Sequence, residues 1–160
     1  MGTIAWFNAY TLATYNDEDA VMIQLVYVSS SVRLFTKDEL IGILEVSRTH
    51  NQSKGITGIL LYANGNFLQL LEGEKKDVDA LYEKITQDKR HRGCIKLFAK
   101  DATSRLFPDW SMGFRELSKD ECDTKKGYSD LMAFWNNPMD LKNNPNQLLR
   151  ILGEFSMNNR

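Results

Sequence analysis

The sequence predicts an α+β domain with a ferredoxin-like order of elements, βαββαββ, followed by two further helices. Apolar runs rich in β-branched and aromatic residues predict the strands of a five-stranded mixed sheet. Two amphipathic segments with helical spacing separate these runs, and they predict helices that cover one face of the sheet. The strands are expected at residues 23–28, in a hairpin at 56–73, and at 95–99 and 110–114, and the helices at 36–50 and 76–87.

The hairpin is predicted from Asn64-Gly65, because both residues accept the positive φ that a two-residue hairpin turn requires. Its second strand is apolar except for Gln69. A buried amide that lacks hydrogen-bond partners costs about 1–3 kcal/mol. Gln69 is therefore expected to bond to another group of the site.

The first helix is expected to begin at a capping box, in which Thr36 and Glu39 satisfy each other's main-chain amides. It is expected to end near His50, with residues 51–55 forming a polar loop. Residues 72–74, Glu-Gly-Glu, are expected to form a solvated turn before the second helix.

Composition divides the chain into three parts. Residues 1–21 are interpreted as an N-terminal extension or leader, with an extra strand or helix as the alternative. Residues 22–117 form the core domain, and residues 118–160 form a C-terminal helical extension. Within that extension, apolar stripes predict helices at 128–135 and 146–155, which are expected to cover the open face of the sheet or another subunit.

The overall charge and the reactive residue types argue against several classes of function. A net charge of −1 gives no electrostatic reason to expect nucleic-acid or membrane binding. Cys94 and Cys122 are interpreted as reduced thiols of a cytoplasmic protein, and a disulfide between them is the alternative. Two histidines are too few for a zinc site, and no carboxylate pair or Ser-His constellation suggests an enzyme.

Five side chains are candidates for a binding site: Tyr27, Asn51, Gln69, Trp110 and Met112. A phenol, two amides and an aromatic–thioether pair on one face of a sheet would suit a flat heterocycle that forms hydrogen bonds.

Several motifs together resemble BLUF domains, which are blue-light sensors that use FAD. The resemblance covers about residues 22–117, and 42 residues separate Tyr27 from Gln69 as in that family. The matching segments are residues 25–29 with the Tyr, Asn51 with 55–60, 67–73 with the Gln, 88–91 and 107–112.

The resemblance implies a set of flavin-binding residues. The isoalloxazine ring would insert between the two helices, against Ile43 and Ile85, while Asn51 bonds to its carbonyl and imide edge. The other residues it implies near the flavin are Tyr27, His50, Gln69, Lys84, Asp88, His91 and Met112. FAD is the expected cofactor. FMN and riboflavin are alternatives, because the pocket mainly contacts the isoalloxazine ring, which all three share. A lysine at position 84 replaces the arginine of some members by a point charge.

The resemblance also implies a mechanism. Light would drive transfer of an electron and a proton from Tyr27, through Gln69, to the flavin. The Gln69 side chain would end up rotated or tautomerised in a reversible red-shifted state, and Trp110 or Met112 would respond to it. The expected output is a change in protein–protein contacts, as a homo-oligomer or with an unknown partner.

Two alternatives remain at this point. One is a ferredoxin-like binding module without a chromophore. The other is a small enzyme of acylphosphatase-like shape, for which Arg33 is the sole candidate anion-binding residue after the first strand, in a segment without the glycines of such a loop.

Overall fold

A computed structural model describes residues 21–109, 112–116 and 143–158, with side chains at 21–109, 112–113 and 143–153. The element bounds within these ranges are β1 Met22–Ser31, α1 Lys37–Ser53, β2 Thr57–Ala63, β3 Asn66–Glu74, α2 Lys75–Thr86, β4 His91–Asp101, β5 Gly113–Glu116 and α3 Pro145–Asn158. The order is the predicted βαββαββ, and α3 follows it.

The strands form one sheet in the order β4-β1-β3-β2-β5. β1 pairs antiparallel with both β3 and β4, and β2 pairs antiparallel with β3. These four strands make the ferredoxin-like part of the sheet, and the four-residue β5 pairs in parallel with β2. In the β2–β3 hairpin, Asn64 and Gly65 have φ values of 49° and 80°, which confirms the predicted turn.

The two faces of the sheet bury separate apolar clusters. We call the face beneath α1 and α2 the front; its cluster includes Leu25 and Leu71 with Leu44 of α1 and Val78 of α2. The opposite face, the back, is covered by α3, whose Leu148, Leu149, Ile151 and Leu152 pack with strand residues and Phe107. The expectation that a C-terminal helix covers the open face is therefore confirmed for α3.

Three predicted boundaries were wrong. β1 continues through Ser29–Ser31 because Ser30 and Ser31 donate hydrogen bonds to Asn66 Oδ1 and to the Gly65 carbonyl on the neighbouring hairpin. α1 continues to Ser53, so Asn51 lies in its last turn rather than in a loop. Residues 72–74 are not a solvated turn, since they pair with β1 and Glu72 is completely buried.

The last predicted strand is also displaced. It was expected over residues 110–114, but β5 begins at Gly113, after Met112 has turned toward the front of the sheet beside Gln69.

The predicted helix at 128–135, the N-terminal segment 1–20, Trp110 and Cys122 lie outside the described residues. No helix in the described part of the chain is both long and apolar enough to cross a membrane.

Candidate functional site

A cleft of about 280 Å³ lies between α1 and α2 on the front of the sheet. Nine of the residues predicted for a binding site line it: Tyr27, Ile43, His50, Asn51, Gln69, Lys84, Ile85, Asp88 and His91. Ile43 on α1 and Ile85 on α2 belong to opposite walls, while the strands supply Tyr27 and Gln69. The fold thus brings together side chains that are up to 64 residues apart in the chain, from Tyr27 to His91.

Gln69 joins the two sides of the site through its amide. Its Oε1 accepts a hydrogen bond from Tyr27 Oη, and its Nε2 donates to Met112 Sδ at 3.1 Å. The first pair follows from the sheet, because Tyr27 and Gln69 are directly opposite each other in the β1–β3 ladder. With 6% of its surface exposed, Gln69 is buried, so both ends of the amide bond to protein groups rather than to bulk water.

Tyr27 is held as a neutral phenol. Burial raises its pKa well above the ordinary value, and the nearby Cys94, Tyr82 and Asp88 raise it further. The ring of Tyr82 from α2 packs edge-on against Tyr27, with centroids 5.4 Å apart. At neutral pH, Tyr27 therefore acts as a hydrogen-bond donor to Gln69.

Asn51 is buried at the end of α1, where its main chain closes the helix. Its carbonyl accepts hydrogen bonds from the amides of Lys54 and Ile56, at 3.1 and 2.9 Å. These bonds fix the backbone from which the Asn51 side chain reaches the cleft. His50, the preceding residue, lines the same wall.

The connection between α2 and β4 forms the charged rim of the cleft. Asp88 accepts hydrogen bonds from the main-chain amide and the Nε of Arg90, at 2.9 and 3.0 Å, and this partner lowers the pKa of Asp88. His91 Nδ1 lies 2.9 Å from Ser29 Oγ. Burial lowers the pKa of His91, although the Asp88 charge opposes this effect.

Met112 is the one predicted site residue in the described chain that does not line the cleft. Only 1% of its surface is exposed, and it packs behind Gln69. The prediction left open whether Trp110 or Met112 faces the site; Met112 faces Gln69 here, and Trp110 lies outside the described residues.

Sequence reasoning missed several residues of the site. Arg90 lines the cleft, and Arg48 donates a hydrogen bond from Nε to the Met112 carbonyl at 3.0 Å. Apolar residues that were not assigned to the cleft are Phe35, Val46, Leu60, Phe67 and Leu81. Arg90 could have been found from its place between Asp88 and His91, whereas nothing in the sequence pairs Arg48 with Met112.

The cleft has the chemistry that a planar heteroaromatic ring requires. Isoleucines of two helices offer apolar faces, and the amides of Asn51 and Gln69 offer both donors and acceptors. No group of three or more His, Cys, Asp or Glu residues in the described part of the chain could hold a metal ion. The residues present therefore fit a flavin ring.

A family model described as sensors of blue light using FAD, the BLUF family, matches residues 22–113. The matched range contains every residue of the cleft and Met112.

Known relatives differ greatly in length. The photoactivated adenylate cyclase subunit alpha of Euglena gracilis is 38% identical over 86 residues, which are 54% of this chain and 8% of that protein. A blue light- and temperature-regulated antirepressor of Escherichia coli K12 is 33% identical over 81 residues, 51% of this chain and 20% of the relative. The dark-state structure of the BLUF protein BlrB aligns with a TM-score of 0.69 and 28% identity, covering 85% of this chain and 98% of BlrB.

Proposed function

The chain belongs to the family of blue-light sensors that use FAD, and from this premise we propose that its switch is the hydrogen-bond network centred on Gln69. The observation that carries the proposal is the continuous contact from Tyr27 through Gln69 to Met112 at the base of the cleft. In that arrangement, the Gln69 amide bonds to the Tyr27 hydroxyl at one end and to the Met112 sulfur at the other. A change in the bond to Tyr27 therefore alters the bond to Met112.

The proposed cofactor is FAD, held mainly by its ring. Ile43 and Ile85 would contact the two faces of the ring, while Asn51 and His50 would meet its polar edge. The cleft of about 280 Å³ is small for a whole dinucleotide, since pockets for drug-sized ligands run from roughly 300 Å³ upward. The remainder of FAD would extend past the exposed Lys84 at the rim, and FMN or riboflavin would lose that part of the contact.

A bound flavin supplies absorption of blue light and an excited state that accepts an electron. Tyr27 is the proposed electron donor, because its ring is buried next to the cleft and its Oη already donates to Gln69. As the phenol ring is oxidised, Tyr27 Oη would give its proton to Gln69 Oε1, and Gln69 Nε2 would release one of its own protons toward the group in the cleft. When the electron returns, one proton would return to the Tyr27 oxygen. Tyr27 and Gln69 then hold as many protons as before, and Gln69 is left rotated or as its imidic tautomer.

An amide side chain suits this role because its two ends differ in hydrogen bonding but hardly in shape. Exchange of the ends replaces the acceptor facing Tyr27 by a donor without any change in packing volume. No covalent bond is formed, so the original arrangement returns in the dark.

The proposed output is a change in protein–protein contact rather than catalysis by this chain. The aligned part is only 8% of the adenylate cyclase relative, so the cyclase activity of that protein is not assigned to this chain. A homo-oligomer or an unidentified light-dependent partner in the cytoplasm, with no nucleic acid or membrane involved, remains the proposed setting.

The experiment is an absorption spectrum of the purified, flavin-loaded protein before and after a blue flash. We expect a small reversible red shift in the wild type and its loss in Gln69→Leu and Tyr27→Phe. Tyr62→Phe is the matched control, because Tyr62 is equally buried in β2 but its Oη accepts a bond from the Phe35 amide, away from Gln69. A red shift that persists in Gln69→Leu, or that disappears equally in Tyr62→Phe, would contradict the proposed switch.

A further inference from the structure

Arg48 of α1 makes a contact across the site that the switch described above does not use. Its Nε donates a hydrogen bond to the main-chain carbonyl of Met112 at 3.0 Å. Arg48 lies one turn before Asn51, on the helix that forms one wall of the cleft. The bond therefore ties the wall of the cleft to the residue behind Gln69.

The position of Met112 determines which end of the Gln69 amide is favoured there. A thioether sulfur is a weak hydrogen-bond acceptor and cannot donate. Gln69 Nε2 donates to this sulfur, whereas an exchanged amide would place its oxygen against the sulfur without a bond. A fixed Met112 thus stabilises one amide arrangement over the other.

The chain at Met112 is held from two directions. The residue after it, Gly113, begins β5 and pairs with Ile59 of β2. Arg48 holds the Met112 carbonyl from the side of α1. Because Arg48 bonds to the main chain, it fixes the direction in which the side chain leaves the backbone rather than the side chain itself.

We propose that Arg48 is a positioning residue that keeps Met112 against Gln69 and so sets the balance between the two amide arrangements. This inference rests on the proposed photoswitch for its functional consequence, but the Arg48–Met112 contact itself does not require a flavin.

The first test observes Met112 directly in the flavin-free chain of 160 residues. Methionine methyl groups are labelled with carbon-13, and the Met112 signal is assigned by its loss in Met112→Leu. We expect this signal to shift or broaden in Arg48→Ala, and to move back toward the wild-type position in Arg48→Lys, which keeps a donor and the charge. Arg92→Ala, at an exposed arginine of β4, should leave the signal unchanged.

The second test uses the flavin-loaded protein and measures dark recovery after a blue flash. We expect Arg48→Ala to change the recovery rate by about three- to tenfold, the range that corresponds to a typical net hydrogen-bond energy. Arg48→Lys should lie between Arg48→Ala and the wild type. Alanine is a good helix former at this exposed position, and thermal unfolding will verify that the variants are folded.

The outcomes separate the two proposals. If Arg48→Ala leaves both the Met112 signal and the recovery rate of a photoactive protein as in the wild type, the positioning role is wrong. If the wild type shows no red shift, the proposed function fails, and the methyl signal of the flavin-free protein still decides whether Arg48 positions Met112. A Met112 signal that moves while recovery stays unchanged would overturn the claim that this position sets the amide balance.

Discussion

His91 is a half-buried histidine at the rim of the cleft, between Ser29 and the charged pair Asp88 and Arg90. Burial lowers its pKa below the ordinary value of 6.5, Arg90 lowers it further, and Asp88 works in the opposite direction. The unfolded chain therefore takes up a proton at a higher pH than the folded protein does. Stability from this group is present above pH 6.5 and is lost as the pH falls from there through the lowered pKa.

We expect His91→Asn to weaken this pH dependence. Between pH 8 and pH 5.5, the melting temperature of the wild type should fall by more than that of the variant. Melting at pH 8 is the internal control, because the histidine is neutral in both states there and any difference reports lost packing alone. Equal falls in the two proteins would show that His91 does not contribute.

Gly58 of β2 lies where no side chain fits. Its φ is +150°, and a Cβ at this position would lie 2.0 Å from the Leu70 carbonyl oxygen of the neighbouring strand. Gly42, in the interior of α1, has φ in the ordinary range and no atom within 4 Å of such a Cβ. The two glycines thus offer the same substitution in opposite environments.

We expect Gly58→Ala to lower the free energy of unfolding by about 3 kcal/mol or more, because the main chain must move to relieve the overlap. Gly42→Ala should raise it by about 0.5–1 kcal/mol, since alanine restricts the unfolded chain and favours helix. Urea denaturation of both variants provides the measurement. A loss below about 1 kcal/mol for Gly58→Ala would mean that the strands can separate at that point.

Individual site residues differed in how well the sequence predicted them. Tyr27 and Gln69 belong to strands whose apolar pattern makes a polar group conspicuous, and their pairing follows from the register of β1 and β3. Arg48 could not be predicted in its contact with Met112, because a long side chain on an exposed helix surface can reach many groups. The chain separation of 64 residues gives no local signal for such a bond.

The segment between β4 and β5 is held on the sheet by a buried carboxylate. Glu72 of β3 accepts hydrogen bonds from the amides of Leu106 and Phe107, at 2.7 and 2.9 Å, and from Gln24 Nε2 at 2.8 Å. Arg105 donates to Thr57 Oγ1 and to the carbonyl of Glu72, each at 2.8 Å. β3 therefore places Gln69 on the front of the sheet and, through Glu72, holds Leu106 and Phe107 on the back.

We expect Glu72→Ala to lower the free energy of unfolding by about 3–5 kcal/mol, because the buried Gln24 amide side chain, the buried Phe107 main-chain amide and the part-buried Leu106 amide lose this acceptor. Glu72→Gln keeps an acceptor oxygen and should cost less than the alanine variant. Glu74→Ala is the control at the exposed end of the same strand, with an expected effect within about 0.5 kcal/mol. Similar losses for positions 72 and 74, measured by chemical denaturation, would contradict the role of Glu72.

Elements were easier to predict by type than by extent. The hairpin turn and the capping box of α1 are local, and both are present as predicted. The polar ends of β1 and β3 were misjudged because their serine and glutamate side chains are satisfied by partners more than 30 residues away. Polarity indicates exposure only where no such partner exists.

The whole molecule has a cleft on the front of its sheet and α3 on the back. The α3 core residues Leu148 and Leu152 are completely buried in the back cluster, together with Phe107 from the segment that Glu72 holds. Lys100 of β4 also donates a hydrogen bond to Asn146 of α3 at 3.0 Å. A rearrangement at Gln69 can reach this face through β3, because Glu72 of the same strand bonds to the amides of Leu106 and Phe107.

At this scale we predict that light changes how α3, or the sheet beneath it, contacts another copy of the chain. Coupling free energies between distant sites are typically about 1–3 kcal/mol, which is enough to shift an association equilibrium five-fold or more. Light scattering after size-exclusion chromatography, in the dark and under continuous blue light, should give different masses for the wild type at a fixed concentration. Gln69→Leu should give one mass under both conditions, because it keeps the fold but lacks the switching amide. If the photoactive wild type has the same mass in both states over a wide concentration range, self-association is not its output, and the signal must pass to a different protein.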